Sequence, residues 1–272
     1  LTEMGANIES TKGKLPISIS PSTFKKQYKY ELPVASAQVK SSILLAGLAA
    51  GTGIEIIEPI QTRDHTEKML KHFGANIETS SQDGKNVIKL ASSNDLHAKN
   101  YNVVGDISSA SFLIVAALIS DSPGLEIMNV GMNSSRTGVL QALQKMGANI
   151  EVKNKRLESG EPCADLLIKK SELKGVELSG KIIPNIIDEI PIISIAAAFA
   201  NGETLIKDAK ELRVKESDRL RAVSEGFSKL GIMHRNFEDG MSIQGSPNQL
   251  LIDQSISIDS YDDHRIAMSF LI

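Results

Sequence analysis

The sequence contains a single cysteine, no apolar run long enough to cross a bilayer, and almost no excess of charge. Cys163 has no second thiol for an internal disulfide, which fits a reducing compartment. The missing apolar run predicts no membrane span, and a net charge of −3 over 272 residues favours no nucleic-acid partner. The five histidines lack the spacing of metal ligands, so we expect no metal site. The composition is otherwise that of an ordinary soluble globular protein.

A short phrase recurs along the chain and indicates a repeat. Met-Gly-Ala-Asn-Ile-Glu begins at Met4 and again at Met146, Phe-Gly-Ala-Asn-Ile-Glu begins at Phe73, and a weaker Leu-Gly-Ile-Met begins at Leu230. The glycines follow one another at steps of 69, 73 and 84 residues. Each phrase is typical of an amphipathic helix that glycine stops, followed by an alternating strand. A period of this size indicates repeated supersecondary units.

Upstream of each phrase lies a second helix of a different character. These helices are apolar nearly all round and rich in Ala and Ser, so we expect them to be buried. They span residues 36–50, 108–120 and 188–200, and a fourth begins near Asp263. A glycine and a short strand follow the first three. In the exposed helix that ends at Gly74, Asp64-His-Thr-Glu67 resembles a capping box.

The repeating unit therefore has the order strand, buried helix, strand, exposed helix, strand, strand. We predict a nearly complete copy at about 30–90, full copies at about 101–170 and 175–245, and partial copies at both ends. This is an α/β repeat architecture. The chain has no Gly-x-Gly-x-x-Gly and no Gly-Lys-Ser/Thr phosphate loop, which argues against a doubly wound nucleotide fold.

The densest charged segment is Arg213-Val-Lys-Glu-Ser-Asp-Arg219, with three cations and two carboxylates in seven residues. Lys215 and Arg219 are four residues apart and on a helix would share one face, with Glu216 beside them. Two cations near a carboxylate suit a small multiply charged anion, such as a phosphate, and a proton to be moved. The plainer interpretation is a solvated helix face of ion pairs.

Polar residues also gather at the starts of the predicted buried helices. The groups are Ser36 with Ala37 and Gln38, Asp106 with Ser108 and Ser109, Asp188 with Glu189, and Asp262 with Asp263, His264 and Arg265. Helix N-termini attract anions because their N–H groups are unpaired, so side-by-side helices would form one anion-binding surface. N-capping explains residues 106–109. It does not explain Gln38, or Arg265, which the helix dipole disfavours and which we expect an anionic ligand to hold.

Several segments together resemble one family. They begin at Leu32 (LPVASAQVKS), Thr62 (TRDHTEKML), Leu212 (LRVKESDRL) and Asp263 (DHRIAM), and Asn133-Ser-Ser-Arg-Thr-Gly138 and Ile187-Asp-Glu-Ile-Pro191 also match. This set resembles the 5-enolpyruvylshikimate-3-phosphate synthases (EPSP synthases), also called 3-phosphoshikimate 1-carboxyvinyltransferases. The resemblance follows the chain in order from end to end. The basic segment combined with the Asp-His-Arg segment is its most specific part.

The resemblance implies the two-lobed enolpyruvyl transferase fold, built from repeated βαβαββ units with buried helices in each lobe. Residues 1–102 would belong to the N-terminal, shikimate-phosphate-binding lobe and residues 103–272 to the C-terminal, phosphoenolpyruvate-binding lobe. The implied enzyme moves the enolpyruvyl group of phosphoenolpyruvate to the 5-hydroxyl of shikimate 3-phosphate and releases phosphate, on the shikimate pathway to chorismate and aromatic amino acids. It would use no cofactor. We expect a cytoplasmic enzyme that is monomeric when full length and binds neither nucleic acid nor membrane.

The resemblance also assigns the residues that would bind shikimate 3-phosphate in the N-terminal lobe. Ser36 and Arg63 would contact its phosphate, and Gln38 would lie against the ring, with Ala37 between them at the helix start. Gln38 would also contact phosphoenolpyruvate.

In the C-terminal lobe the resemblance implies the catalytic residues and the phosphoenolpyruvate site. Asp188 would accept a hydrogen bond from the 5-hydroxyl and act as the base, with Lys215 close enough to reach the same hydroxyl. Lys215, Arg219 and Arg265 would bind the phosphate and carboxylate of phosphoenolpyruvate. Glu216 would move the proton to and from the methylene carbon through a tetrahedral intermediate.

The chain departs from the family pattern at both ends. It lacks the N-terminal Lys-Ser pair with its Arg, the Gly-Asn-Ser/Ala-Gly-Thr loop with its Arg, and the final Lys-containing loop. We therefore expect a fragment without the N-terminal part and the C-terminal end, inactive by itself. Two alternatives remain. One is a UDP-N-acetylglucosamine enolpyruvyl transferase, whose reactive loop cysteine Cys163 does not match. The other is a non-catalytic anion-binding repeat protein, which has no need of both Asp188 and Glu216.

Overall fold

A computed structural model describes residues 1–93, 95–247 and 255–272 of the chain. The chain divides into two compact units. Unit 1 consists of Leu1–Asn102 and Ser159–Glu161, and unit 2 consists of Val103–Glu158 and Pro162–Ile272. Among the described residues, no helix is both long enough and apolar enough to span a membrane.

Unit 1 contains a hairpin, a four-stranded mixed sheet and two α-helices. Its elements are β1 (Asn7–Thr11), β2 (Lys14–Ser20), β3 (Gln27–Glu31), α1 (Ala37–Ala50), β4 (Gly53–Glu58), α2 (His65–His72), β5 (Ile77–Gln82) and β6 (Lys85–Leu90). The hairpin pairs β1 with β2, and the larger sheet has the order β3-β4-β6-β5. β3 runs parallel to β4, and the other neighbours are antiparallel. A parallel pair needs a crossover, which α1 supplies.

From residue 103 onward the chain forms two further sheets with helices between their strands. The elements are α3 (Ile107–Ile119), β7 (Leu125–Gly131), α4 (Gly138–Lys145), β8 (Asn149–Glu158), β9 (Glu161–Lys169), β10 (Glu177–Leu178), α5 (Ile183–Ile186), α6 (Ile190–Ala198), β11 (Gly202–Ile206), α7 (Arg219–Leu230), β12 (His234–Phe237), β13 (Gly240–Gly245) and α8 (His264–Leu271). The sheet orders are β7-β9-β8 and β10-β11-β13-β12.

The two four-stranded sheets share one topology, which confirms the predicted repeat. In each, the first strand lies parallel to the second, and the fourth strand lies antiparallel to both the second and the third. In the three-stranded sheet, an isolated parallel bridge between Gly105 and Val130 takes the place of a first strand. Three of the repeated glycines, Gly74, Gly147 and Gly231, have φ values of 98°, 95° and 70° after the exposed helices. This left-handed conformation ends a helix most readily at glycine.

The first predicted buried helix is covered on one side alone. The buried residues of α1 are Lys40, Ile43, Leu44 and Gly47, whereas Leu45 is 44% exposed. Within unit 1 the helix packs its Ile43 and Leu44 side against the sheet. The expectation that this helix is buried is therefore correct only for the side that carries Ile43 and Leu44. An apolar sequence does not reveal how many layers cover a helix.

In unit 2, two of the predicted buried helices lie in the core. All nine residues of α6 are buried, and so are nine of the thirteen in α3. α6 packs against both α3 and α8. Polar contacts link the first residues of these three helices, so their N-termini meet, as the sequence predicts for neighbouring buried helices.

Candidate active site

In unit 1, the start of α1 carries three of the predicted binding residues. Ser36 is the N-cap: its hydroxyl accepts a hydrogen bond from the backbone N of Val39 at 3.3 Å and donates to Gln38 Oε1 at 3.4 Å. Ala37 is the first helical residue, and Gln38 is exposed. The first N–H groups of a helix have no intrahelical acceptor, so this end of α1 offers hydrogen-bond donors and partial positive charge to an anion.

Arg63 lies between β4 and α2 and is half-buried. The capping box predicted beside it does not form. Asp64 occupies the N-cap position, but its carboxylate makes no capping hydrogen bond and accepts instead from Lys68 Nζ at 2.5 Å. Glu67 turns inward, and its Oε1 lies 2.6 Å from Nζ of the buried Lys40. The capping prediction is wrong because a buried lysine attracts the carboxylate that the box requires.

The charged segment before α7 is not one continuous helix. A 3₁₀ turn comes first, Lys215 has an extended backbone, and α7 begins at Arg219. The helix begins there because the Asp218 carboxylate caps it, accepting a hydrogen bond from the backbone N of Arg221 at 3.0 Å. The prediction that Lys215 and Arg219 share one helix face is therefore wrong. Both side chains still approach Asp188: Arg219 donates to its carboxylate, and Lys215 Nζ lies 3.7 Å from the same oxygen. Lys215 makes its own hydrogen bond to Glu211 Oε1, at 2.5 Å.

Arg219 is 1% exposed and contacts three carboxylates. Its Nε donates to Asp263 Oδ2 at 2.8 Å, Nη1 to Asp188 Oδ1 at 3.3 Å, and Nη2 to Glu216 Oε2 at 2.6 Å. Lys215 Nζ lies 3.7 Å from the same Asp188 Oδ1. Four of the residues predicted from the family resemblance therefore lie in one cluster of hydrogen bonds and ion pairs.

Arg265 joins this cluster from the start of α8. Its Nη1 donates to the backbone carbonyl of Asp188 at 3.3 Å and lies 3.7 Å from Glu189 Oε1. Its backbone N donates to Asp263 Oδ1 at 2.9 Å. These acidic and carbonyl oxygens offset the helix dipole. The Arg265 side chain is still 15% exposed, so an anion can reach it, and the anionic ligand expected there stays a prediction.

The cluster extends beyond the residues that the family resemblance assigns, to Arg136 and to Asp106 and Ser108 at the start of α3. Arg136 Nη2 donates to Ser108 Oγ at 2.7 Å and to Asp106 Oδ1 at 3.0 Å. Ser108 in turn makes a short hydrogen bond to Glu189. Asp106 also caps α3, as the capping interpretation predicts. The one sequence signal for Arg136 is its place in Asn133-Ser-Ser-Arg-Thr-Gly138, a segment that resembles the family.

The pKa values of two buried carboxylates of the cluster shift in opposite directions. Desolvation raises the pKa of Glu189, because it outweighs the hydrogen bond from Ser108 and the nearby guanidinium charges. Burial acts in the same direction on Asp263, but hydrogen bonds from Arg219 and from the backbone N of Arg265 outweigh it and lower the pKa of that carboxyl below its usual value. Asp263 is therefore a firmly ionised partner for Arg219.

The cluster combines cations with carboxylates that a ligand can reach. The side chains of Asp188, Lys215 and Glu216 are 16%, 22% and 55% exposed. Such a site can neutralise an anion and move a proton in the same place. Among the described residues, no group of three or more His, Cys, Asp or Glu side chains is arranged to hold a metal ion.

Comparison with known proteins decides the family. A family model of EPSP synthase (3-phosphoshikimate 1-carboxyvinyltransferase) matches residues 1–272. The chain belongs to the EPSP synthase family. It is 48% identical over 274 residues to the 3-phosphoshikimate 1-carboxyvinyltransferase of Petrotoga mobilis, and 47% identical over 272 residues to that of Vesicomyosocius okutanii. Both alignments cover 100% of this chain, but 62% and 61% of the relatives, so the chain spans about three-fifths of their length.

Solved structures agree with this family. An EPSP synthase structure from Acinetobacter baumannii superposes with a TM-score of 0.87 at 43% identity, covering 99% of this chain and 61% of that one. The enolpyruvyl transferase NikO from Streptomyces tendae gives a TM-score of 0.63 at 15% identity, covering 90% of this chain and 56% of its own, which shows the shared fold alone. The predicted α/β enolpyruvyl transferase fold is confirmed. Membership of the EPSP synthase family also favours the EPSP synthase hypothesis over a UDP-N-acetylglucosamine enolpyruvyl transferase.

Proposed function

We propose that the protein carrying this chain transfers the enolpyruvyl group of phosphoenolpyruvate to the 5-hydroxyl of shikimate 3-phosphate and releases phosphate. The observation that carries the proposal is the unit 2 cluster, in which Asp188, Lys215, Glu216, Arg219 and Arg265 are linked by hydrogen bonds and ion pairs. Relatives that match the whole chain are named for the same transfer. A protein that bound anions without reacting them would not need the two carboxylates.

The cations of the cluster supply the phosphoenolpyruvate site. Lys215 and Arg265 keep part of their side chains exposed, so a small anion can contact both. Arg219 is buried, and its Nη2 is occupied by Glu216. We propose that a phosphoenolpyruvate oxygen takes the place of Glu216 on this nitrogen. The exchange satisfies the guanidinium with a new anion and releases Glu216 for proton transfer.

The carboxylates supply the acid–base chemistry. In the addition step, the 5-hydroxyl oxygen bonds to C2 of phosphoenolpyruvate while Asp188 takes the hydroxyl proton, and the carboxylic acid form of Glu216 delivers a proton to C3. In the elimination step, Glu216 takes its proton back from the new methyl group, the C2–O bond to phosphate breaks, and the C2–C3 double bond re-forms. Asp188 gives the hydroxyl proton to the departing phosphate. The products are the enol ether and inorganic phosphate. Lys215 lies near Asp188 and would stabilise the negative charge that develops on the 5-hydroxyl oxygen as it loses its proton.

Unit 1 would bind shikimate 3-phosphate. The Ser36 hydroxyl and the free N–H groups at the start of α1 can donate hydrogen bonds to its phosphate. The planar guanidinium of Arg63 can donate two more, to two phosphate oxygens. Ala37 and Gln38 would contact the cyclohexene ring, and Gln38 would also contact phosphoenolpyruvate. We assign unit 1 to the shikimate-phosphate-binding lobe and unit 2 to the phosphoenolpyruvate-binding lobe.

We also propose that the full-length protein is a cytoplasmic monomer that binds neither nucleic acid nor a membrane. A single cysteine, which is buried and unpaired, supports a reducing compartment. A net charge of −3 supports the absence of a nucleic-acid partner.

Phosphate release tests the proposal in the complete product of the gene that encodes this chain, called the complete gene product below. We expect release that requires both substrates and that falls by roughly 10²–10⁴ when Asp188→Asn removes the base. Asp121→Asn is the matched control, because this carboxylate is exposed and pairs with Lys170 at the surface. Its turnover should equal that of the wild type.

Two outcomes would contradict the proposal. Phosphate release with UDP-N-acetylglucosamine in place of shikimate 3-phosphate would favour the related transferase. Binding of both substrates without any phosphate release would favour a non-catalytic anion-binding protein.

A further inference from the structure

A buried ion cluster in unit 1 has no place in the proposed chemistry. Lys40 is 0% exposed, and its Nζ lies 3.1 Å from Glu58 Oε1 and 2.6 Å from Glu67 Oε1. Glu58 is fully buried and Glu67 nearly so. Lysine and glutamate are rarely buried completely, and taking them out of water costs free energy. We call Lys40, Glu58 and Glu67 the Lys40 cluster.

Each member of the cluster lies next to a proposed shikimate-phosphate-binding segment. Lys40 is in the first turn of α1, and its backbone N donates to the carbonyl of Ser36 at 3.1 Å. Glu58 ends β4 and accepts a short hydrogen bond from the hydroxyl of Thr62, the residue before Arg63. Asn86 donates to the other Glu58 oxygen at 2.7 Å.

Glu67, the third member of the Lys40 cluster, holds α2, the helix that follows Arg63. Glu67 lies in the first turn of α2. A second contact, between Ser41 Oγ and Thr66 Oγ1 at 2.6 Å, joins the same turns of α1 and α2. The loop that carries Arg63 is thus tied at both ends to the turn of α1 that Ser36 caps.

Stability alone is a poor explanation of the Lys40 cluster. Within the described part of the chain, neither Lys40 Nζ nor the Glu67 oxygens makes a well-aligned hydrogen bond, so charge attraction is their main contact. Burial raises the pKa of Glu67 in spite of the neighbouring lysine, so desolvation is the larger effect there. Apolar residues of similar volume often replace such clusters without loss of stability. Ion pairs fix the distance between the helices and strands that carry them, which apolar contacts do not.

We propose that Lys40, Glu58 and Glu67 are positioning residues that set the placement of Arg63 relative to the Ser36 end of α1. The inference rests on the proposed function, because both segments are assigned there to the phosphate of shikimate 3-phosphate. The cluster touches no substrate itself. It acts by holding two phosphate-binding segments in one arrangement, and preorganised donors bind an anion more tightly than mobile ones.

The test is a variant that removes the charges and keeps the volume. In the complete gene product, Lys40→Met with Glu58→Gln and Glu67→Met leaves no unpaired buried charge, and glutamine can still accept from Thr62. We expect binding of shikimate 3-phosphate to weaken about tenfold, the scale of one weakened charged hydrogen bond. Binding of shikimate, which lacks the phosphate, should change less than twofold. KM for shikimate 3-phosphate should rise while kcat and KM for phosphoenolpyruvate stay within about twofold.

Two further variants make the test decisive. Lys29→Met removes an exposed lysine that pairs with Glu55 in the same sheet, and it should change neither affinity. Thr62→Val removes the Glu58 contact without touching a charge, and it should weaken shikimate 3-phosphate binding in the same selective way, by about threefold. If the triple variant fails to fold, as judged by circular dichroism and urea unfolding, Thr62→Val decides alone.

The inference is overturned if the folded triple variant, or Thr62→Val in its place, binds shikimate 3-phosphate as the wild type does. It is also overturned if shikimate and shikimate 3-phosphate weaken equally, since that pattern indicates general loosening. Failure of the proposed function gives a different result. In that case the wild-type protein would show no preference for shikimate 3-phosphate over shikimate.

Discussion

The Arg219 guanidinium and the Asp263 carboxylate form a buried ion pair, with Nε 2.8 Å from Oδ2 and side chains that are 1% and 0% exposed. Asp263 also caps α8 and accepts a hydrogen bond from Ser217 Oγ at 3.1 Å. The pair therefore joins the start of α7 to the start of α8. It also fixes the orientation in which Arg219 meets Asp188 and Glu216.

Arg219→Lys should weaken phosphoenolpyruvate binding at least about tenfold and leave shikimate 3-phosphate binding nearly unchanged. Lysine keeps the charge but loses the planar fork, so it cannot serve Asp263 and a ligand oxygen together. Because a buried charged hydrogen bond is also lost, we expect the free energy of unfolding to fall by about 1.5–3 kcal/mol. Separate calorimetric titrations and urea unfolding measure these effects.

The matched control for this change is Arg221→Lys, two residues further along α7. Arg221 is 65% exposed and pairs with Glu225 at the surface, so neither affinity nor stability should change measurably. Equal weakening of both substrates by Arg219→Lys would mean that Arg219 supports the whole cluster and does not select phosphoenolpyruvate.

Glu216→Gln should lower kcat by roughly 10²–10⁴ while both substrates bind almost as in the wild type. The amide cannot deliver or remove a proton, but its oxygen can still accept from Arg219. Steady-state kinetics with calorimetry separates the two effects. Glu238→Gln is the control, because Glu238 is exposed and pairs with Lys210. An unchanged kcat in Glu216→Gln would exclude this residue from proton transfer.

Asp263→Asn should remove part of the protein's sensitivity to acid. The pKa of Asp263 is lower in the folded state than in the unfolded chain, so its stabilising effect is present above the unfolded pKa of about 4 and is lost as pH falls through the folded pKa. The unfolding free energy of the wild type should therefore exceed that of the variant, and this difference should be largest at pH 7 and shrink below about pH 4. Urea unfolding at pH 7, 5 and 3 checks this. A difference that stays constant with pH would contradict it.

Glu189→Gln should show the opposite pH dependence. The pKa of Glu189 is raised in the folded state, so its ionised form is unfavourable there and the wild type loses stability as pH rises from the unfolded pKa of about 4.3 through the folded pKa. The free energy of unfolding of the variant, relative to that of the wild type, should therefore rise between pH 4 and pH 7. Urea unfolding at the same three pH values measures this difference. If the relative stability of the variant falls over that range, hydrogen bonding and not desolvation controls the pKa of Glu189.

The repeat and the order of its elements could be predicted because their signals are local. The Gly-Ala-Asn-Ile phrase marks each helix end, and Ala-rich segments mark the buried helices. Prediction failed where a distant side chain competes with a local one. The capping box at Asp64 is the clearest case, since Glu67 is drawn to Lys40, 27 positions earlier in the chain. Lys215 and Arg219 likewise approach each other at Asp188 and not on one helix face, because α7 begins only at Arg219.

The sequence by itself determined the family, the α/β repeat and most of the charged residues of the candidate site, because motifs and periodicity are properties of neighbouring residues. The tertiary structure alone decided which carboxylate meets which cation. Arg219 contacts Asp188 across 31 positions of the chain and Asp263 across 44. It also showed that Arg136 and Glu189 extend the cluster and that α1 is buried on one side. Burial and charge interactions depend on distance in space, and no local pattern specifies that distance.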